Sequence, residues 1–205
     1  MRWPTAKRAT DVVLAALALV ALAPLMLVVA VAVAFALGRP VLFRQSRAGL
    51  GGQPFTVLKF RSMREADPLR GIFTDADRLT PFGRFLRSTS LDELPSLWNV
   101  LRGEMSIVGP RPLPVAYLPR YTEHQARRHE VRPGITGLAQ VCGRNSLSWE
   151  AKFALDVEYV EDMSFGMDLR IICATVGVVL RRDGISAAGE ATAAEFKGTR
   201  VVADV

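Results

Sequence analysis

The sequence predicts a mostly helical α+β protein, with an N-terminal re-entrant membrane helix ahead of a small cytosolic domain. Three observations predict this class. Residues 12–37 form one long apolar segment without a charged side chain. Two short extended pieces around a Gly-rich stretch predict a β-hairpin within residues 40–60. Most of the remaining chain shows the apolar spacing of short amphipathic helices.

The composition suits a protein that meets both a membrane and an anionic partner. Half of its 205 residues are hydrophobic, yet the formal net charge is +6 and the isoelectric point is about 9.9. The Arg and Lys residues are dispersed, with no basic run interleaved with aromatic residues, which disfavours nucleic acid. Cys142 and Cys173 are too few for a disulfide framework, and the two histidines are too few for a zinc site.

The apolar segment of residues 12–37 is long enough to meet a membrane. Its 26 residues would extend about 39 Å as a straight helix, against a hydrocarbon core of about 30 Å. The segment is too long for the apolar region of a signal peptide, and Gly38-Arg39-Pro40 follows it instead of a cleavage site.

Two features favour a re-entrant helix over a spanning helix, which stays the alternative. Pro24 lies in the middle of the segment and removes one helical hydrogen bond. The positive-inside rule places two basic flanks on the cytoplasmic side only if the chain bends and returns. The flanking basic residues are Arg2, Lys7, Arg8, Arg39, Arg44 and Arg47. We therefore expect residues 1–39 to form a re-entrant membrane helix.

Residues 40–182 are expected to form the cytosolic domain, which begins with the predicted hairpin. A polar, turn-rich loop then leads into a short helix. Residues 93–102 predict a helix that ends at Gly103. Residues 114–131 predict either a pair of helices or one helix kinked at Pro119.

The last part of the domain begins with residues 132–145, which predict a Gly-rich loop or a strand pair. Residues 148–163 predict another helix. The apolar run of residues 171–180 is too short to span a bilayer, and it fits an interfacial helix and a core helix equally well. Residues 183–205 are expected to form a loosely ordered tail.

Two adjacent carboxylates, Asp92 and Glu93, precede Pro95 and an apolar helical pattern. A capping box that starts at Ser90 would place Pro95 where its missing N–H breaks an intrahelical bond. With Asp92 as the N-cap, Pro95 is the third helical residue, whose N–H has no intrahelical partner. We therefore expect Asp92 to begin the helix, at an end that favours phosphate. Capping alone leaves Glu93 and the nearby arginines unexplained: Arg87, Arg102 and Arg111.

Three long motifs resemble those of the bacterial sugar transferases, the monotopic phosphoglycosyl transferases. They are KFRSM at residues 59–63, RLTPFGRFLRSTSLDELPSLWNVLRGEMSIVGPRP at residues 78–112 and RPGITGLAQVCGRN at residues 132–145. The resemblance runs from residue 7 to about residue 182, and it implies the minimal form, a catalytic domain with one re-entrant helix. Four residues depart from the family pattern: Ala23 replaces Ser before Pro24, Ser96 replaces Gln, Leu138 replaces Trp and Cys142 replaces Asn.

The resemblance implies transfer of a phospho-sugar from a UDP-sugar to polyprenyl phosphate, with release of UMP. Matched onto the family motif, Asp92 is the nucleophile that forms an aspartyl phospho-sugar, and Glu93 holds Mg²⁺ or manages a proton. Both carboxylates are expected to bind Mg²⁺, because a carboxylate must approach a diphosphate against like charge. The cations expected to contact phosphate are Lys59, Arg87, Arg111 and, more weakly, Arg144.

The same resemblance implies a location at the bacterial inner membrane, with the catalytic domain on the cytosolic face and lipid as a further partner. It leaves open whether the protein forms a homodimer. Two other functions compete with this interpretation. A CDP-alcohol phosphotransferase would need several membrane helices, whereas this chain has one long apolar segment. A non-catalytic basic module that binds anionic lipid would not need the Asp92-Glu93 pair.

A second acidic motif, Asp75-Ala76-Asp77, imitates the DxD metal motif of nucleotide-sugar transferases. A three-residue match occurs often by chance, and no alternating pattern of strands and helices surrounds this one. We therefore expect a surface loop at this position, without a metal ion.

Overall fold

The mostly helical α+β class is confirmed by a computed structural model, which describes residues 3–67, 69, 71–143, 146–181 and 195–198. Eight α-helices and four strands are described within these residues. In chain order they are α1 (Trp3–Leu37), β1 (Leu42–Ala48), β2 (Pro54–Phe60), α2 (Asp75–Arg78), α3 (Pro81–Ser88), α4 (Ser96–Arg102), β3 (Ser106–Val108), α5 (Glu123–Ala126), β4 (Gly134–Thr136), α6 (Leu138–Cys142), α7 (Trp149–Asp162) and α8 (Phe165–Arg181).

Helix α1 continues through Pro24 and is long and apolar enough to cross a membrane by length and composition. One stripe of its side chains packs against the rest of the protein, at the spacing of three and four residues that marks one helix face. Ala15 joins a core cluster with Val100 of α4, and Val33 joins a second cluster with Phe60 of β2. The other faces of α1 expose large apolar side chains: Val13, Leu14, Leu17, Val20, Leu25, Leu27, Val28, Val31 and Phe35.

Polar contacts fix the N-terminal end of α1 to the domain. The Lys7 ammonium lies 2.6 Å from Asp168 of α8, and both side chains are buried. The Arg8 guanidinium donates to the carbonyl oxygen of Val100 at 2.6 Å, at the C-terminal end of α4. Asp11 accepts a hydrogen bond from the Ser106 hydroxyl at 2.8 Å, at the start of β3.

The C-terminal end of α1 is held by a different residue. Arg61, which follows β2, is buried and donates hydrogen bonds to the carbonyl oxygens of Leu37 and Gly38. Carbonyl groups at a helix C-terminus have no intrahelical donor, so a guanidinium is a suitable cap. Both ends of α1 are therefore attached to the same folded domain.

The predicted hairpin is confirmed. Strands β1 and β2 pair antiparallel, with Leu42 opposite Phe60 and Ala48 opposite Pro54. The connection contains Gly51 at φ 61° and Gly52 at φ 74°, a backbone region that is open to glycine without steric cost. Local sequence therefore determined this element.

The sequence predicts a loop or a strand pair within residues 132–145, and the structure has one strand there, β4, which pairs parallel with β3. Only β4 comes from that segment, and α6 follows it directly. Glycines allow the two backbones to meet: a Cβ on Gly134 would lie 2.1 Å from the Gly109 nitrogen, and one on Gly137 would lie 2.2 Å from the Gly109 oxygen. This contact fixes the segment that leads into Arg111.

Residues 114–131 form three short helices instead of a helix pair or one kinked helix. They are the 3₁₀ turns Val115–Arg120 and Arg127–His129, with α5 between them. Thr122 begins α5 with a capping box that involves Gln125, so the chain restarts a helix after Pro119 instead of continuing one.

An aromatic cluster joins these turns to α7, and the C-terminal segment 195–198 completes it. Phe196 is buried against Tyr117, Tyr121, Trp149 and Phe153, and its ring centroid lies 4.9 Å from that of Phe153. Arg120 donates to the Glu195 carboxylate at 2.7 Å. Within the region expected to be a loosely ordered tail, Glu195 and Phe196 therefore make specific contacts.

The apolar run of residues 171–180 lies within α8 and has two environments. Ile171 is buried in a cluster with Val108 and Tyr159, whereas Val176 is 56% exposed. The helix therefore has one face in the core and one face available to the surroundings, so each of the two expected environments describes part of it.

Candidate active site

The backbone around Asp92 differs from the predicted helix start. Ser90 has φ 55° and ψ 17°, in the left-handed region, and a 3₁₀ turn spans Leu91–Glu93. Helix α4 begins only at Ser96, after Pro95. The expectation that Asp92 is an N-cap is therefore wrong, because the chain makes a separate tight turn between α3 and α4. The turn buries the Asp92 side chain, and the residue is 8% exposed.

Glu93 binds two of the predicted cations. Lys59 at the end of β2 donates to Oε1 of Glu93 at 2.5 Å, and Arg111 donates to the same oxygen at 3.0 Å. These two cations hold the pKa of Glu93 down at about 2, against the effect of burial. Burial in turn lowers the pKa of Lys59, partly opposed by Glu93. Glu93 is therefore ionised across the physiological pH range and holds Lys59 and Arg111 in place.

Asp92 has the opposite electrostatic environment. Burial raises its pKa to about 6, and the negative charge of Glu93 acts in the same direction. Lys59, Arg87 and Arg111 oppose this rise but do not cancel it. Within the described part of the chain, its carboxylate makes no hydrogen bond. A desolvated carboxylate that is still mostly ionised at pH 7 is suited to nucleophilic attack.

Arg87 and Arg144 complete the predicted cations. The Arg87 guanidinium, near the end of α3, donates to the Ser62 hydroxyl at 3.0 Å and contacts the Met63 sulfur at 2.9 Å. Its positive charge acts on Asp92, and burial lowers its own pKa. Arg144 lies outside the described residues.

The position of Arg111 depends on a residue that the sequence analysis missed. Arg128 is 2% exposed and donates to the Arg111 carbonyl oxygen at 2.7 Å. It also donates twice to one oxygen of Asp156, at 3.0 and 2.7 Å. Because Pro110 and Pro112 flank Arg111, the backbone of this segment has little freedom. No local pattern identifies Arg128, which stands between another arginine and a histidine.

The carboxylate pair opens into a cleft of about 1920 Å³. Among the described residues that line it, basic side chains outnumber carboxylates. One set of lining residues is apolar and includes Ala18 and Leu22 of α1, whereas another set carries aromatic rings from α7 and the 3₁₀ turn Val115–Arg120. The cleft therefore connects the charged groups with an apolar wall that belongs to the long apolar helix α1.

The residues of the pair fit a hard divalent cation. Lys59 and Arg111 both bind Oε1 of Glu93, which leaves Oε2 and the Asp92 carboxylate for a ligand. Mg²⁺ commonly takes one or two protein carboxylates and completes its shell with water and substrate phosphates. Such an ion would neutralise charge between a carboxylate and a diphosphate. No group of three or more His, Cys, Asp or Glu side chains suited to a metal ion occurs among the described residues.

The second acidic motif forms the short capped helix α2 instead of the expected surface loop. Thr74 and Asp77 make a reciprocal capping box at the start of α2, which explains why an acidic residue stands at position 77. Asp75 lies 3.3 Å from Arg78. Asp75 and Asp77 therefore both make contacts within the short helix α2 and its N-cap.

Comparison with known proteins gives consistent matches along the chain. A model of the family described as bacterial sugar transferase matches residues 2–182. The chain is 56% identical over 164 residues to a protein of Bacillus subtilis strain 168 named uncharacterized sugar transferase EpsL, covering 80% of this chain and 81% of that protein.

The names of two further relatives state a reaction or a product. A UDP-glucose:undecaprenyl-phosphate glucose-1-phosphate transferase of Caulobacter vibrioides is 45% identical over 189 residues, covering 86% of this chain and 70% of that protein. The exopolysaccharide production protein ExoY of Sinorhizobium fredii is 41% identical over 191 residues, covering 84% of each chain. Because the family match includes the whole cleft and every charged group described around Asp92 and Glu93, this chain is an enzyme that belongs to the bacterial sugar transferase family.

Proposed function

We propose that this enzyme transfers a phospho-sugar from a UDP-sugar to polyprenyl phosphate, such as undecaprenyl phosphate, and releases UMP. The observation that carries the proposal is the Asp92-Glu93 pair, with Asp92 buried and Glu93 partly buried, in a cationic cleft that is also lined by α1. The printed name of the Caulobacter relative states a reaction of this class for that protein. A step of this kind would begin the membrane-bound assembly of a polysaccharide or another glycoconjugate.

Asp92 acts as the nucleophile in the proposed reaction. A carboxylate oxygen of Asp92 attacks the β-phosphorus of the UDP-sugar, and the bond from that phosphorus to the bridging oxygen breaks. UMP leaves with the bridging oxygen and its electron pair. An oxygen of polyprenyl phosphate then attacks the aspartyl phospho-sugar and restores the Asp92 carboxylate.

In the proposed reaction the remaining charged groups bind the phosphates, and Lys59 and Arg111 also hold Glu93 in place. Lys59 and Arg111 are fixed by Glu93, so their cationic heads are already placed before a diphosphate arrives. Preplaced cations cost little reorganisation during reaction and stabilise the charge that develops on the leaving group. Arg87 extends this cationic lining on the α3 side of Asp92.

The proposed position is the cytosolic face of the bacterial inner membrane, with α1 entering the lipid without crossing it. Contacts at Lys7 and at Leu37 attach both ends of α1 to one domain. A helix that crossed the bilayer would place its ends on opposite sides of a hydrocarbon core about 30 Å thick. The exposed apolar faces of α1 supply the surface that lipid would cover. Ala18 and Leu22 bring the same helix to the cleft, where a lipid-linked acceptor must react.

The experiment that tests this function is capture of the covalent intermediate. Full-length protein with Mg²⁺ and a panel of UDP-sugars, but no acceptor, should release close to one UMP per active molecule. Mass spectrometry should then place a phospho-sugar on the peptide that contains Asp92. Asp92→Asn should abolish the adduct, because a neutral amide is a poor nucleophile.

Two outcomes would contradict the proposal. Normal turnover by folded Asp92→Asn protein would favour the alternative, a basic membrane module without chemistry at this pair. Full turnover with no trapped adduct would indicate direct transfer between the two substrates, with Asp92 in a different role.

A further inference from the structure

Among the described residues, three cations of the cleft form an ion pair with only one carboxylate. Arg47 on β1, Arg111 and Lys152 on α7 all line the cleft. Arg111 is paired with Glu93, whereas the Arg47 guanidinium donates to the neutral amide of Gln45 at 2.5 Å. The three residues come from separate parts of the chain, so the fold alone brings them to one wall.

These cations repel one another. Burial and, to a smaller extent, the charge of Arg111 lower the pKa of Arg47 to about 10. Burial and the same arginine also lower the pKa of Lys152. Three cations that share a single carboxylate favour the arrival of a further anion, and a phosphate oxygen is a group that guanidinium and ammonium bind strongly.

Aromatic rings continue the wall beyond these cations. The Lys152 ammonium lies 4.6 Å from the centroid of the Trp149 ring, and Tyr117 meets Trp149 edge to face at 5.8 Å. Both rings line the same cleft as Asp92 and Glu93. Phe153 and Phe196 pack behind Trp149, which keeps its ring in place. Among the contacts of the described residues, the Lys152 ammonium has only this weak cation–π contact, so an anion can displace it.

We propose that Arg47, Arg111 and Lys152 bind the nucleotide phosphate of the sugar nucleotide, and that Trp149 and Tyr117 bind its nucleoside. The inference rests on the proposed function and deepens it by naming the residues that recognise the donor. Neighbouring groups run from the carboxylates to the rings: Glu93, next to Asp92, pairs with Arg111, and Arg111 acts on both Arg47 and Lys152. Lys152 in turn lies over Trp149. This sequence of groups corresponds to the reacting phosphorus, the nucleotide phosphate and the base of the ligand. Stacking of a base on an aromatic ring contributes about 1–3 kcal/mol in other nucleotide-binding sites.

Binding of UMP, uridine and inorganic phosphate to full-length protein tests this inference without turnover. Lys152→Met keeps the length of the side chain and removes its charge. It should weaken UMP binding about tenfold, the change that corresponds to about 1.4 kcal/mol, and leave uridine binding unchanged. Arg170→Met is the matched control, since Arg170 is an exposed cation outside the cleft and should bind UMP as the unchanged protein does.

Fluorescence provides a second readout that reports on Trp149 itself. In protein with Trp3→Phe and Trp98→Phe, Trp149 is the remaining tryptophan of the sequence. UMP and uridine should both quench its emission, and inorganic phosphate should quench it much less. Because this protein keeps Trp149, the measurement avoids disturbing the aromatic cluster.

The outcomes separate this inference from the proposed function. If the unchanged protein forms the Asp92 adduct, but Lys152→Met and Arg170→Met bind UMP equally and no quenching occurs, the nucleotide inference fails alone. If the unchanged protein binds no UMP and forms no adduct with any UDP-sugar, both proposals fail. Tenfold weaker UMP binding in Lys152→Met, with quenching of Trp149 and a normal Arg170→Met control, supports the inference.

Discussion

At the residue scale, two neighbouring carboxylates have opposite environments. Glu93 has two cations on one oxygen and is held ionised, whereas Asp92 is buried without a hydrogen bond from the described residues. Pairs of titratable groups whose environments separate their pKa values commonly have different chemical roles. The separation here supports an anchoring role for Glu93 and a reactive role for Asp92.

Substitution of the two carboxylates should change stability in opposite directions. The folded-state pKa of Asp92 is about 6, above its ordinary 3.8, so stability is lost as the pH rises from about 3.8 through about 6. Asp92→Asn should therefore stabilise the protein at pH 8, by on the order of 2 kcal/mol, and have little effect at pH 4. Thermal unfolding at the two pH values, in one detergent, measures the difference.

Glu93→Gln provides the comparison. The folded-state pKa of Glu93 is about 2, below its ordinary 4.5, so its charge contributes stability that is present above pH 4.5 and lost as the pH falls towards 2. Glu93→Gln should lower the melting temperature at pH 8, because it leaves Lys59 without its closest anion. Equal shifts of the same sign in both variants would contradict this assignment of environments.

The rate of the first half-reaction should depend on the ionisation of Asp92. Without acceptor, single-turnover release of UMP should slow as the pH falls below about 6, because a protonated carboxyl group is a poor nucleophile. A bound cation would shift the inflection to lower pH. Rapid-quench measurement of UMP between pH 4 and 9 gives the profile. An inflection above pH 7 would show that another group limits this step.

At the element scale, α1 and the segment 195–198 are both held by tertiary contacts. The buried stripe of α1 runs along both sides of Pro24, and the segment 195–198 contributes Phe196 to the aromatic cluster. Val100 and Phe60, which pack against α1, and Phe153, which packs against Phe196, lie far from these elements in the sequence. Their positions depend on the domain between them, which also carries the site.

The location of α1 can be tested by labelling. Pro4→Cys and Gln45→Cys, each in a protein with Cys142→Ser and Cys173→Ser, place single thiols on either side of the apolar segment. Both thiols should react with a membrane-impermeant reagent from the cytoplasmic side, because both ends of α1 contact one domain. Labelling from opposite sides would show a spanning helix instead.

Removal of the Phe196 ring should destabilise the domain. Phe196 is 2% exposed and contacts four aromatic residues, so Phe196→Ala should cost about 3 kcal/mol of unfolding free energy. Leu69→Ala is the control, since Leu69 is 99% exposed and should change stability by less than about 0.5 kcal/mol. Denaturant unfolding measures both. A cost below about 1 kcal/mol for Phe196→Ala would mean that the segment does not stabilise the domain.

At the scale of the whole molecule, the proposed position at a membrane would draw on two sources of affinity, the exposed apolar faces of α1 and the net charge of +6. Burial of apolar area is insensitive to salt, whereas attraction between exposed charges is screened within about 3 Å at 1 M salt. The apolar source is the larger one here, because the large apolar side chains extend along most of α1.

Binding to vesicles should therefore survive high salt. The full-length protein should remain on phosphatidylcholine vesicles in 1 M NaCl, as measured by flotation. Val20→Glu and Leu27→Glu, which change two exposed side chains of α1, should together release a large fraction of the protein. Leu69→Glu changes an exposed side chain outside α1 and should not. Release of the unchanged protein by salt would show that charge dominates.

The sequence by itself determined the elements whose causes are local. The apolar segment predicted α1, the Gly-rich connection predicted the hairpin, and three long motifs identified the family and the pair Asp92-Glu93. These features depend on residues close together in the chain, where spacing, turn chemistry and composition act directly.

Only the tertiary structure decided what surrounds the pair. Lys59 and Glu93 are 34 positions apart, and Arg111 is 18 positions from Glu93, so their contacts require the packing of β2 against the turn before α4. The same holds for Arg128 behind Arg111 and for Lys152 beside Trp149 in the cleft. Asp92 was expected to cap a helix, but the left-handed Ser90 and the 3₁₀ turn bury it instead. Burial and distant charges set its pKa, and neither can be calculated from the spacing of residues along a chain.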